Sequence, residues 1–155
     1  MLDQRYNQLE KEAKWLKYWE DNDIYKFERD NREIYSIDTP PPTVSGNIHI
    51  GHIFSYSQTE MMARFKRLRG YNVFYPFGFD DNGLASERFV EKEHNVKPQE
   101  IGREKFRKLC YETTDKYEEE FKELFSKMGV STDWNIVYKL IEDCFSSFDV
   151  VIYKL

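Results

Sequence analysis

The chain has 155 residues, 40% hydrophobic and 17% aromatic, enough to bury one core of ordinary domain size. Charged residues make up 33% and the formal net charge is -5, which excludes a chain-wide field that would draw a polyanion, so any nucleic-acid contact must be local. Cys110 and Cys144 lack CxxC or Cys/His spacing, the start MLDQRYNQLEKEAKW lacks an apolar signal core, and no run approaches the roughly 18 apolar residues of a membrane span; the expectation is a cytoplasmic chain with no membrane, no disulfide framework and no zinc site.

Leu9, Ala13, Leu16 and Tyr18 or Trp19 recur at near-helical spacing, which predicts an amphipathic helix over residues 6–21, ended by Asp21, Asn22 and Asp23. IYSID, residues 34–38, alternates with β-branched and aromatic residues and predicts a strand. The loop PPPTVSGNIHIGH, residues 40–52, follows. Ile50, Phe54, Met61, Phe65 and Leu68 then step by four, seven, four and three, drawing one apolar stripe down a helix that ends at Gly70. YNVFYPF, residues 71–77, predicts a strand buried on both faces, with Pro76 marking its end. Strand, helix and strand at this length form one right-handed crossover with parallel strands.

DDNGLASERFVEKEH, residues 80–94, predicts a polar turn and a short helix. Pro98 opens a long helix through about residue 128, striped by Ile101, Phe106, Leu109, Tyr117, Phe121, Leu124 and Phe125 and closed by Gly129. Residues 130–155 mix turn, strand and helix signals.

The chemistry concentrates in residues 40–52. Gly46 stands at the strand exit and the helix starts within a few residues, so backbone amides and the positive end of the helix dipole are expected to face the loop as an anion site. His49 and His52, at i and i+3, share one face of the first turn, and Gly51 between them lets a flat group or a phosphate chain approach the backbone. Imidazole N–H groups suit phosphate oxygens whose charge rises during reaction. A single histidine is more often a polar surface residue, and His94 keeps that reading; the pair after a Pro-rich strand exit outweighs it. Metal binding by His49 and His52 lacks a third ligand in pattern.

At these residues the chain resembles the class I aminoacyl-tRNA synthetases, whose signature HIGH opens the first Rossmann helix; PPPTVSGNIHIGH is similar to the version in valyl-tRNA synthetases. GYNVFYPFGFDDNGLASERFVEK, residues 70–92, resembles that family's second strand and amino-acid pocket, with G-x-D-x-x-G met by Gly78, Asp80 and Gly83. MGVSTDWNIVYKLI, residues 128–141, is similar to the segment where its catalytic domain is interrupted. With the helix holding Glu12, Trp15 and Trp19, the resemblance extends to about residue 142.

The resemblance implies an α/β fold: a Rossmann-like, HUP-type parallel sheet, N-terminal half only, with residues 1–33 a helical extension, 34–142 the first half of the catalytic domain and 143–155 an atypical or truncated tail. It implies ATP binding by Gly46, His49, Gly51 and His52, with His49 and His52 the catalytic pair, and amino-acid binding by Pro41, Pro42, Thr43 and Asp80. Asp80 would pair with the substrate ammonium. Apart from the resemblance, a carboxylate at the end of a parallel strand lies where such sheets bind ligands, although DDNG is also turn chemistry. Activation of valine to valyl-adenylate, Mg²⁺ carried on the ATP phosphates, and transfer to tRNA(Val) are the implied activity. The family's second signature, KMSKS, does not occur among these residues, and Lys127 to Ser131 mimics only its opening letters. The remaining half of the synthetase is therefore an expected partner, and a truncated frame or split gene product the expected origin. An isoleucyl-type fragment, a free-standing HxGH nucleotidyltransferase and a non-catalytic module binding tRNA or a partner stay open as alternatives.

Overall fold

A computed structural model describes residues 6–140. The first helix, α1 (Gln8–Asp21), is capped by Asn7, whose side chain accepts from the Glu10 amide. It buries no residue completely: of its apolar positions Leu9 is 78% and Tyr18 48% exposed, and only Leu16 and Trp19 are half-buried.

The expected crossover is present. β1 (Ile34–Ser36) runs into the Pro-rich loop, α2 (Ile50–Leu68) returns, and β2 (Asn72–Phe74) pairs with β1 in parallel, Ile34 opposite Asn72 and Ser36 opposite Phe74. A single strand over 71–77 is corrected. Residues 72–79 are all buried, but the run divides at Tyr75 and Pro76 into β2 and β3 (Phe77–Phe79), and β3 pairs in parallel with β4 (Val137–Lys139). Pro76 has no N–H for a ladder, and the Tyr75 carbonyl accepts instead from Thr132 Oγ1 at 2.5 Å and the Asp133 amide at 3.3 Å. The chain thus changes partner strands across the proline.

α2 forms where expected but presents a different face to the core. Ile50, Phe54, Met61, Phe65 and Leu68 are 78%, 65%, 71%, 54% and 87% exposed; Tyr56, Glu60 and Ala63, roughly 140° round the helix at about 100° per residue, are buried. The buried face is partly ionic. Glu60 Oε2 accepts from the Ser131 amide at 2.7 Å and Ser131 Oγ at 3.0 Å, Glu60 Oε1 faces Arg64 Nε at 2.6 Å, and Arg67 donates to the Ser131 carbonyl at 2.6 Å and to Ser131 Oγ. A search for apolar periodicity cannot see a helix face whose burial is secured by paired charge.

Gly83 at φ +107° starts α3 (Leu84–His94), and Asn95, at φ +51°, ends it. The continuous helix expected from Pro98 is divided by Gly102 at φ +86°, a conformation that glycine adopts without strain, into α4 (Pro98–Ile101) and α5 (Arg103–Lys127). Gly129 follows α5 as expected, and its amide donates to the Ser126 carbonyl at 2.8 Å. Phe121 and Phe125 of α5 meet Tyr56, Phe77 and Phe79 in the core, with centroids 4.6 Å apart for Tyr56 and Phe125 and 5.1 Å for Phe77 and Phe125. Cys110 is a buried free thiol, whereas Cys144 and the tail over 143–155 lie outside the described residues. Among the described residues no helix is long and apolar enough to cross a membrane.

Candidate active site

The Pro-rich loop leaves β1 and is fixed from two directions. The core-bound Tyr56, 5% exposed, donates its hydroxyl to the Pro40 carbonyl at 2.7 Å. Burial is the main cause that pushes this phenol well above its usual range, so it stays protonated and able to donate. On the other side the Asp80 amide donates to the Pro42 carbonyl at 2.9 Å and the Val44 amide to the Asp80 carbonyl at 2.8 Å, making a parallel bridge between Thr43 and Asp80. Thr43 Oγ1 then donates to Asp80 Oδ2 at 2.8 Å.

Between this loop and the start of α2 opens a cleft of about 470 Å³. Pro41, Pro42 and Thr43 line one wall and His49, Gly51 and His52 the other, so six of the eight site residues expected from sequence share one cavity. Asp80 stands one hydrogen bond behind Thr43. Gly46 is outside the lining, its φ of +135° serving the turn and its α-carbon facing the Phe89 ring. Sequence reasoning did not assign Thr39, Pro40, Ser55, Tyr56 and Thr59 to the site, and these complete the lining. Ser55 or Tyr56 and Thr59 lie three or four and seven residues after His52, so helical spacing alone could have found them.

The two histidines stack with centroids 4.0 Å apart and planes 32° from parallel. His49 is the N-cap of α2: its Nδ1 accepts from the Gly51 amide at 3.1 Å, while His52 Nδ1 accepts from the His49 amide at 3.3 Å. This differs from the expectation of open backbone amides, because the His49 and Gly51 amides are taken up by the imidazoles themselves and the His52 amide by the His49 carbonyl. An acceptor Nδ1 must be unprotonated, so each neutral ring carries its proton on Nε2. The helix end therefore offers a pair of Nε2–H donors, fixed in tautomer by the backbone. Burial, and then the neighbouring His49, lower the pKa of His52. Gly51 is required for close packing, since a Cβ there would sit 2.9 Å from His49 Cε1.

A second cavity, about 340 Å³, is lined by Trp19, Tyr25, Lys26, Asp133 and Trp134 among others. Two of its ionic groups are already engaged: Asp133 accepts from the Phe27 and Asn135 amides, and Lys26 pairs with Glu28 at 2.7 Å. The histidine cleft, with donors left over, is the better candidate.

Known proteins resemble this chain over most of its length. The sequence model for tRNA synthetases class I (I, L, M and V) matches residues 14–154. The chain is 48% identical over 141 residues to the valine--tRNA ligase of Wolbachia sp. subsp. Brugia malayi (strain TRS), covering 91% of this chain and 16% of that protein. It is 47% identical over 138 residues to the valine--tRNA ligase of Rickettsia akari (strain Hartford), covering 88% and 17%. A crystal structure of an Agrobacterium radiobacter K84 LeuRS-tRNA-LeuAMS ternary complex superposes with a TM-score of 0.71 at 21% identity, over 97% of this chain and 18% of that one, which is a likeness of fold. The chain spans about one-sixth of the length of the curated relatives it matches. With a family match running almost from end to end, this chain belongs to the class I tRNA synthetases (I, L, M and V).

Proposed function

We propose that the chain is the part of a valine--tRNA ligase that receives ATP and valine, the first half of a Rossmann-like, HUP-type catalytic domain. The observation that carries this is the single cleft shared by the two imidazoles and the Pro41–Thr43 wall; the identity to valine--tRNA ligases supports valine as the amino acid. His49 and His52 present Nε2–H groups to the phosphate oxygens of ATP, and Gly51 keeps the approach open. Mg²⁺ arrives on the ATP and supplies charge neutralisation when bound. Asp80 receives the valine ammonium; Thr43 occupies its Oδ2 and thereby orients the carboxylate.

The reaction is attack of the valine carboxylate on the α-phosphorus, which forms valyl-adenylate and expels pyrophosphate. No side chain is covalently modified. Catalysis consists of holding two anions in line and stabilising the charge that spreads over phosphate oxygens. Transfer of valine to tRNA(Val) belongs to the whole enzyme.

His49→Asn and His52→Asn test this, because asparagine retains capping ability while withdrawing the Nε2 donor. Each is expected to weaken MgATP binding by about ten- to a hundredfold, the value of a hydrogen bond to a charged group, in titration calorimetry with little change in melting temperature. Unaltered MgATP affinity in the double variant would falsify the assignment.

A further inference from the structure

Side chains alternate along β3. Phe77 and Phe79 face α5, where they meet Phe125 and Phe121, so Gly78 and Asp80 face the other way. β4 repeats the pattern. Lys139, opposite Phe79, reaches Asp115 and Glu118 of α5 at 2.6 and 2.7 Å, which puts Tyr138, opposite Gly78, on the Asp80 face. The backbone hydrogen bonds show which edge of β3 each neighbour takes. The Phe77 amide and the Phe79 carbonyl bond to Ile136 and Leu140, on either side of β4, whereas the Asp80 amide and carbonyl bond to Pro42 and Val44 on the opposite edge.

Tyr138 crosses from one edge toward the other. A Cβ placed on Gly78 would meet Cζ, Cε2 and Cε1 of the Tyr138 ring at similar distances, so the ring lies face-on over Gly78 with its hydroxyl end leading away from β4, toward the Pro-rich loop. Only the missing side chain of Gly78 lets it cross. Tyr138 is half-buried, and among the described residues its hydroxyl has no hydrogen-bond partner. Burial, and then Asp38, raise its pKa, so the phenol stays neutral and its oxygen can accept.

The ammonium assigned to Asp80 carries three diverging N–H donors. One carboxylate takes two of them at most, and Thr43 already occupies a site on Asp80 Oδ2. Positions two apart on one face of a strand are about 7 Å apart; a nitrogen bonded at about 2.9 Å to each of two oxygens spans up to about 6 Å between them. The two lengths agree to within the lean of a side chain. We propose that Tyr138 is a second contact for the amino-acid substrate: its hydroxyl, carried across Gly78, accepts an N–H of the ammonium that Asp80 holds. The inference rests on the role given to Asp80 above. Neither group lines the histidine cleft directly, but Thr43 does, and Thr43 is the residue that meets Asp80, so the seat adjoins the cleft at that wall.

Carbon NMR of the full chain, with tyrosine rings and aspartate carboxyls labelled and assigned, tests this. On titration with valine the Tyr138 Cζ and Asp80 carboxyl signals are expected to move along one saturation curve. In Tyr138→Phe, valine affinity is expected to fall about tenfold or more, the value of a hydrogen bond to a charged group. Affinity for the smaller 2-aminobutyrate is expected to fall by the same factor, because the ammonium is common to both. An Asp80 signal that saturates while Tyr138 stays still overturns the proposal and leaves the Asp80 reading standing. Unequal losses for the two amino acids overturn it as well, since they place Tyr138 on the substrate's side chain. If neither signal moves at any valine concentration, the role of Asp80 falls and this inference with it. Should Tyr138→Phe fail to fold, the wild-type traces decide on their own.

Discussion

His49 lines the cleft while its Nδ1 closes the helix, which leaves Nε2 outside the cap. Gly51 makes that arrangement possible. Gly51→Ala would force the His49 ring away from a Cβ 2.9 Å distant and break its bond to the residue-51 amide. The expected result is a loss of about tenfold or more in MgATP affinity, equivalent to about 1.4 kcal/mol, with the fold retained by circular dichroism. The ring of His52 also carries a pH signature. Its pKa is lowered in the folded chain, so the unfolded chain binds the extra proton; stability from this group is present above the ordinary histidine value of about 6.5 and is lost as pH falls below it. Glu118 has the opposite sign. Its raised pKa gives stability that is complete below the ordinary carboxyl value and lost as pH rises toward about 7. Melting curves across this range should therefore lose part of their acid-side fall in His52→Asn and part of their alkaline-side fall in Glu118→Gln; identical profiles in wild type and variants would refute both signs.

Among the elements, the divided strand shows how local chemistry and tertiary pairing combine. Pro76 was readable as a ladder breaker, yet only the arrival of β4 explains why a strand resumes at Phe77. Gly78 belongs to the same account. A Cβ there would come within 2.1 Å of the Tyr138 ring on the neighbouring strand, so the glycine is a packing requirement as well as a letter in a motif. Gly78→Ala is expected to destabilise the chain by at least about 1–3 kcal/mol, the usual cost of overpacking, read by urea denaturation; wild-type stability would show that the ring moves aside freely. The start of α2 was legible because capping and the HIGH spacing are local properties. Its buried face was not, since Glu60 and Arg67 are polar letters that become interior only after Ser131, more than sixty residues later, supplies their partners.

Across the whole molecule, one feature of α2 sets it apart from a finished surface. Ile50, Phe54, Met61, Phe65 and Leu68 form an exposed apolar seam on a chain about one-sixth as long as its curated relatives. Exposed apolar area of this kind favours association. Phe65→Ser with Leu68→Ser is expected to reduce self-association in sedimentation while changing stability by no more than about 0.5 kcal/mol, as for other surface positions; a large loss of stability would place these side chains in the fold of the isolated chain.

From the sequence alone came the crossover, the Pro-rich strand exit, the paired imidazoles, the family, and the glycines at residues 70 and 129 that follow helix ends, because each is set by neighbours within a few residues or by a motif of fixed spacing. Tertiary structure alone decided which face of α2 is inside, where the 71–77 run divides, that Thr43 grips Asp80, and that Lys139 meets Glu118. Those are pairings between residues far apart in the chain, and a buried charge reveals itself only when the partner that neutralises it is in place.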